Sequence, residues 1–113
     1  MPAKVRYPAR AIGAGMRILT GAGAYFCAAH HDLQTGSLHG HTWEVEAWFE
    51  AGNNALIQRD RLNKVLQDFD HKVLPKELSW GEAIAEHVLK SLDGCVEVKV
   101  SRPNERIFAK AFT

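Results

Sequence analysis

Three histidines in the first half of the chain have the residue type and the spacing of a metal site. His39 and His41 are separated by one residue, and His30 ends the apolar stretch 25–29. Because successive side chains of a β-strand point to opposite faces, His39 and His41 point the same way. A tight connection rich in turn residues, 32–36, would bring His30 back beside His39. The pattern predicts that three imidazoles converge on one cation.

Three neutral imidazoles without a thiolate suit Zn²⁺, and three protein ligands leave a fourth position open for water or substrate. That arrangement is typical of catalytic rather than structural zinc. A His-x-His pair by itself is more often an exposed strand face or a histidine that has found a hydrogen bond. The third histidine favours the metal, so we predict one Zn²⁺ per chain bound by His30, His39 and His41.

The dipeptide Asp70-His71 is a second candidate for chemistry, directly after a predicted helix. A carboxylate beside an imidazole sets the tautomer and basicity of the ring, which a proton-transfer site needs near neutral pH. The alternative is structural, because a histidine at a helix C-terminus complements the helix dipole. The sequence leaves both interpretations open.

The hydrophobic periodicity predicts the elements that must position these residues. Strands are predicted over residues 16–30, 39–50, 96–101 and 106–113. Apolar residues at helical spacing predict a helix over residues 57–69 and a second helix that ends before Asp93-Gly94. Ser79 and Glu82 have the spacing of a capping box at the start of the second helix. The order β-β-α-α-β-β predicts an α+β fold with an antiparallel sheet and both helices on one face.

Length and charge limit the classes of protein. The 113 residues predict one domain, 1–113, in which residues 1–15 have no clean period and form an N-terminal arm. A net charge of +1 leaves no basic stripe for nucleic acid, and no apolar run is long enough to span a membrane. Residues 11–29 superficially resemble a secretory signal, but Arg17 and four glycines interrupt them. We therefore expect neither nucleic acid nor a membrane as a partner.

The two cysteines are too few for a disulfide framework and form no Cys-x-x-Cys pair, so the expected location is a reducing cytoplasm. Strand alternation places Phe26, Ala28 and His30 on one face and Cys27 on the other. We expect Cys27 to point away from the histidines and to be a small buried residue.

Three short motifs, in this order, resemble those of the 6-pyruvoyltetrahydropterin synthase and 6-carboxytetrahydropterin synthase family. They are Phe26-x-Ala28-Ala29-His30, Leu38-His39-Gly40-His41 and Phe69-Asp70-His71-Lys72-x-Leu74. The resemblance extends over residues 25–100. It implies the tunnelling fold, in which the sheets of several subunits join around an axis into a barrel, commonly as two stacked trimers. We therefore expect a homo-oligomer, either a trimer or a hexamer.

The resemblance also implies site residues and a reaction. In that family pattern His30, His39 and His41 bind Zn²⁺, and Asp70 and His71 belong to a proton relay that reaches the substrate across a subunit boundary. The implied small-molecule substrate is dihydroneopterin triphosphate, whose side-chain protons are moved and whose triphosphate is expelled. Zinc polarises a side-chain hydroxyl or carbonyl and so acidifies the adjacent C–H, from which a nearby base removes the proton.

The chain departs from the family pattern at the residues that supply the base and read the substrate. Thr35 stands where the family has its catalytic cysteine, and a hydroxyl is a far weaker base than a thiolate. The resemblance assigns substrate binding to Glu82 on the second helix and to Ser101 on the third strand, with Glu105 as a displaced substitute for a glutamate that grips the pterin.

Two functions remain open. The first is a zinc-dependent lyase acting on dihydroneopterin triphosphate or a related reduced pterin, with His71 or the metal centre in place of the missing base. The second is a catalytically altered homologue that binds zinc and a pterin- or purine-like ligand without the family reaction. A cupin-like metal protein also carries His-x-His on strands, but four strands are too few for its barrel.

Overall fold

A long hairpin forms the first half of the sheet in the computed structural model, which describes residues 16–32 and 34–113. β1 (Leu19–His31) and β2 (Leu38–Glu50) are 13 residues each and pair antiparallel along their whole length. Asp32 organises the connecting loop, since its carboxylate accepts the amide hydrogens of Gln34 and Thr35 at 2.8 and 3.0 Å. The predicted tight return of the chain after His30 is confirmed.

The remaining elements follow the predicted order, with one addition. They are α1 (Ala55–Leu66), β3 (Lys72–Val73), a 3₁₀ turn (Lys76–Leu78), α2 (Gly81–Ser91), β4 (Cys95–Arg102) and β5 (Ile107–Phe112). The strand order in the sheet is β3-β1-β2-β4-β5. β3 pairs parallel with β1, whereas all other neighbours are antiparallel. The α+β class is confirmed, but the predicted purely antiparallel sheet is corrected to a mixed one, because the chain after α1 runs back along the edge of β1.

Both helices pack on the same face of the sheet, as predicted. Alternate residues of β1, β2 and β4 form one apolar cluster with the inner faces of the helices: Ala24, Phe26, Ala28, Trp43, Val45, Ala47, Phe49, Val98 and Val100 from the strands, and Leu62, Leu66, Ile84, Ala85 and Val88 from the helices. Each large apolar side chain buried in this way stabilises the fold by about 1.5–3 kcal/mol. The core therefore fixes which face of every strand is inside.

Local capping sets the helix boundaries. α1 begins two residues earlier than predicted because the side chain of Asn54 accepts the amide hydrogens of Leu56 and Ile57. The capping box predicted at Ser79 is wrong. The hydroxyl of Ser79 donates to the carbonyl oxygen of Pro75 at 3.2 Å, and Trp80 precedes the first turn of α2 without a side-chain cap.

Two further expectations concern the chain termini and membranes. The N-terminal arm predicted for residues 1–15 lies outside the described residues, and the first strand begins at Leu19 rather than at Met16. Among residues 16–32 and 34–113, no helix has the length and apolar character needed to cross a membrane.

Close packing of a tryptophan ring against β1 explains why residue 21 is a glycine. Gly21 lies opposite Trp48 in the β1–β2 register, and a Cβ atom built on Gly21 would lie 2.5 Å from Cε3 of the indole. At the neighbouring Gly23 the nearest atom to such a Cβ, the carbonyl oxygen of Val45, is 3.6 Å away. Trp48 therefore packs directly on the backbone of β1 at Gly21 and not at Gly23.

We predict that Gly21→Ala lowers the free energy of unfolding by about 1–3 kcal/mol, because the added methyl group must displace the Trp48 ring. Gly23→Ala is the matched control, since it makes the same change in the unfolded chain without the clash. Urea denaturation of both variants measures the difference. Equal stabilities of the two variants would contradict this account of Gly21.

Candidate functional site

The three histidines lie on one face of the sheet at the loop end of the β1–β2 hairpin. His30 is directly opposite His39 and His41 is opposite Ala28, so all three lie on the helix-bearing face. The rings of His30 and His41 are in edge contact, with centroids 4.8 Å apart, and His39 is 6.3 Å from His41. Trp43 closes the cluster on the core side, with its ring centroid 5.4 and 5.8 Å from those of His30 and His41. The shared face predicted from strand alternation is present.

Hydrogen bonds at Nδ1 define the tautomers of two of the rings. Nδ1 of His30 donates to the carbonyl oxygen of Ser79 at 2.8 Å. Nδ1 of His41 donates a hydrogen bond to Oε1 of Glu105 at 3.0 Å. Each ring therefore presents the lone pair of Nε2, and a histidine oriented through Nδ1 by a carbonyl or carboxylate is a common arrangement in metal sites.

The environment favours the neutral form of His41. Burial is the largest cause that lowers the pKa of His41, and the positive charge of Arg102 lowers it further. Glu105 raises the pKa by a smaller amount. A neutral imidazole is the form that binds a metal ion.

Arg102 is a site residue that the sequence reasoning missed. Its Nη1 lies 3.1 Å from Nε2 of His41 and 3.4 Å from Nε2 of His30, and its Nε lies 3.5 Å from Oε1 of Glu105. A signal was available, because the alternation of Val98 and Val100 continues to Arg102 and places a cation on the apolar face of β4.

His39 is less well aligned than its two neighbours. Its Nε2 is 3.0 Å from the hydroxyl oxygen of Ser37, which in turn is 2.8 Å from the hydroxyl oxygen of Thr35. Within the described residues, no three His, Cys, Asp or Glu side chains come close enough together to hold a metal ion. The donor chemistry of His30 and His41 fits zinc, while His39 is engaged by Ser37. The three-histidine zinc site stays a prediction.

Asp70 and His71 form a compact unit on the edge of β1, directly before β3 begins to pair with that strand. One carboxylate oxygen of Asp70 accepts the amide hydrogen of Cys27 at 2.9 Å, and the other lies 2.9 Å from Nδ1 of His71. The amide of His71 donates to the carbonyl oxygen of Cys27 at 2.6 Å. His71 adopts a positive φ of 59°, and its side chain is 81% exposed. Asp70 thus anchors the loop to β1 and orients an accessible imidazole, as the proton-transfer interpretation requires.

The hydrogen bond from Cys27 holds the pKa of Asp70 below its ordinary value, and contact with His71 lowers it further. The carboxylate therefore remains charged at neutral pH. The carboxylate accepts a hydrogen bond from Nδ1 of His71, so Nε2 is the ring nitrogen left open to solvent.

Cys27 points away from the histidines, as predicted, but the prediction that it is buried is wrong. Its Sγ lies 3.7 Å from the hydroxyl oxygen of Thr42 on the exposed face of the sheet. The physical reason is that both helices pack on the other face. Cys95 is the buried cysteine, and burial raises the pKa of its thiol.

Two cavities adjoin these groups. An open one of about 690 Å³ is lined by Cys27, His41, Thr42, His71 and Glu105, together with backbone of β1 and the turn after β4. A second, of about 430 Å³, lies on the helix-bearing side and is lined by His30, Trp80, Glu82, Ser101 and Arg102, among others. The predicted substrate residues Glu82 and Ser101 therefore share one cavity, whereas Glu105 contacts His41 and borders the other.

Comparison with solved structures identifies the architecture. The chain superposes on 6-pyruvoyl tetrahydropterin synthase from Caenorhabditis elegans with a TM-score of 0.68, over 87% of this chain and 99% of that one, at 15% sequence identity. This chain has a pterin-synthase fold. The enzyme of the same name from Plasmodium falciparum gives a TM-score of 0.61 over 84% of this chain and 99% of its own, also at 15% identity. No protein-family model and no curated protein matches the sequence. The fold of the subunit expected from the three motifs is confirmed.

We predict that Asp70→Ala destabilises the protein at pH 7 and that this loss disappears in acid. The pKa of Asp70 is lowered on folding, so its contribution to stability is complete above its unfolded value of about 3.9 and is lost as the pH falls through the lower folded value. Urea denaturation at pH 7 and pH 3 measures both effects. Asp68→Ala, at an exposed carboxylate in the same loop, is the control. A pH-independent difference between Asp70→Ala and wild type would contradict this role.

Proposed function

We propose that the protein is a zinc-dependent lyase of the pterin-synthase type, acting on dihydroneopterin triphosphate or a related reduced pterin. The observation that carries the proposal is the pair of Nε2 lone pairs of His30 and His41, which point to one place beside a cavity on a pterin-synthase fold. His39, the next imidazole on the same face, is the proposed third ligand. When bound, zinc would supply a Lewis acid for a side-chain oxygen of the substrate.

The cavity beside the histidines supports binding of a flat, polar heterocycle. Trp80 is 40% exposed at its rim and offers an aromatic surface for stacking. Glu82 supplies a carboxylate that can accept two N–H groups of a pterin edge, and Ser101 supplies a hydroxyl. We assign these three residues to substrate binding and Glu105 to the orientation of His41.

His71 is the proposed acid-base group. Its ring is exposed, is oriented by Asp70, and lines the same open cavity as His41. Thr35 stands at the position of the family cysteine and its hydroxyl hydrogen bonds with Ser37 on the hairpin loop, so in this proposal His71 rather than Thr35 acts as the base. The proton removed from the substrate would pass to Nε2 of His71 while Asp70 stabilises the imidazolium.

Association of subunits is part of the proposal. β5 is the last strand of the sheet and pairs only with β4 among the described strands. Three of its apolar side chains, Ile107, Phe108 and Phe112, are 50–69% exposed. An apolar edge strand is a surface that a second strand can cover, and we propose that copies of this chain join there into a trimer or hexamer.

The catalytically altered homologue is the second candidate, and the position of Thr35 favours it. If no other group replaces the cysteine, zinc and a pterin- or purine-like ligand would bind without turnover. A purified protein of this kind would bind dihydroneopterin triphosphate, detected by fluorescence, and would leave it unchanged.

We predict that the wild-type protein binds one Zn²⁺ per chain and that His39→Ala and His41→Ala each lose most of it. Three ligands are the least that a catalytic zinc site uses, so removal of either leaves two. Elemental analysis after dialysis against a weak chelator measures the stoichiometry. His87→Ala, a histidine of α2 whose ring packs on Phe69, is the control. Full zinc occupancy in both site variants would refute the ligand assignment.

Turnover tests the reaction itself. We predict that zinc-loaded wild type releases triphosphate from dihydroneopterin triphosphate and that His71→Ala reduces kcat by about 10²-fold or more, as expected for loss of a general base. Thr35→Cys should raise turnover, since it restores a thiol at the family position.

The exposed thiol of Cys27 borders the same cavity as His71, so Cys27→Ser is tested in parallel. Loss of turnover in folded Cys27→Ser, with His71→Ala active, would show that the base is that thiol.

A further inference from the structure

The guanidinium of Arg102 lies at the point on which His30 and His41 converge. Nη1 carries two hydrogens, and the Nε2 atoms of the two rings lie 3.4 and 3.1 Å from it. Both rings donate through Nδ1 to other partners, so both Nε2 atoms are acceptors. Arg102 therefore hydrogen bonds with both lone pairs that the proposed metal would use.

Other contacts hold the same side chain in place. Nε of Arg102 lies 3.5 Å from the Glu105 carboxylate, and the guanidinium carbon is 5.7 Å from the centre of the Trp43 ring. The side chain is 21% exposed. A carboxylate, an aromatic face and two imidazole lone pairs form a cation site, and the guanidinium of Arg102, at the end of β4, occupies it.

A metal ion and this guanidinium cannot share the site. Zn²⁺ bound to both Nε2 atoms would lie about 2.0–2.1 Å from each, in the space that Nη1 fills. The two positive charges would also repel each other at that distance. Metal binding therefore requires the Arg102 side chain to leave its present contacts.

We propose that Arg102 is a tethered cation that competes with the metal for His30 and His41. This inference rests on the proposed metal site and adds a residue that sets its affinity. The apparent dissociation constant for zinc is the intrinsic one divided by the fraction of molecules in which Arg102 is displaced. The displaced side chain remains at the end of β4, beside the cavity that contains Glu82 and Ser101, where it can bind an anionic group of the substrate.

The test is a titration of the metal-free protein with ZnCl₂ in the presence of a competing chelator. We expect Arg102→Met and Arg102→Gln to bind zinc about tenfold or more tightly than wild type, because the competing cation is gone. Arg106→Met removes the same charge from the adjacent exposed turn and should change the affinity by no more than about twofold, since that charge is screened by solvent. The glutamine variant retains a polar group against Trp43 if methionine impairs folding, and circular dichroism checks both.

A second measurement follows the side chain directly. In a ¹H–¹⁵N spectrum, the Nε–H signal of Arg102, assigned by its absence in Arg102→Gln, should shift when wild type is saturated with zinc. An unmoved signal at saturation, or unchanged or weaker zinc affinity in both Arg102 variants, would overturn the proposal while leaving the metal site intact. Absence of zinc binding in wild type and in both variants would instead refute the metal site and, with it, this inference.

Discussion

The register of the β1–β2 hairpin is the constraint on which the rest of the structure depends. Thirteen residue pairs hold it, and the side chains of a strand alternate, so a slip of one residue would turn every inward side chain of β2 outward. The same alternation that buries Phe26 and Trp43 carries His30 and His41 to the helix-bearing face. The register of this hairpin therefore determines both which side chains form the core and where the histidines lie.

This alternation also divides the chemistry between two sides of the sheet. The histidines, Arg102 and the smaller cavity lie on the helix-bearing side, while Cys27 lies on the exposed side. Asp70 and His71 occupy neither face: they bind the polar backbone groups of Cys27 on the edge of β1, next to the residues that β3 pairs with. An unpaired strand edge needs hydrogen-bond partners, so a loop that satisfies it also gains a fixed position. The proposed acid-base pair obtains its orientation from this structural requirement.

Electrostatics at the histidine cluster follow from the same packing. His30 and His41, each oriented through Nδ1, direct their Nε2 lone pairs to one place, which a cation can occupy. Arg102 does so from β4, and Glu105 contacts both the ring of His41 and the guanidinium. The proposed competition between Arg102 and a metal ion arises because a charged residue stands at a position of β4 where the strand alternation would place an apolar one.

The sequence by itself determined the order of the helices and the four longer strands, the inward faces of β1, β2 and β4, and the shared face of the three histidines, because each depends on a local period or on strand alternation. The short strand β3, the position of Arg102 against His30 and His41, and the exposure of Cys27 depended on the tertiary structure. Each joins residues distant in sequence: Arg102 and His30 are 72 positions apart. The capping box wrongly predicted at Ser79 also reflects tertiary structure. The hydroxyl of Ser79 donates to the carbonyl oxygen of Pro75, and the carbonyl oxygen of Ser79 accepts from Nδ1 of His30. The local sequence pattern predicts which face of a strand a side chain lies on, whereas the residues that the side chain contacts there depend on how distant segments pack.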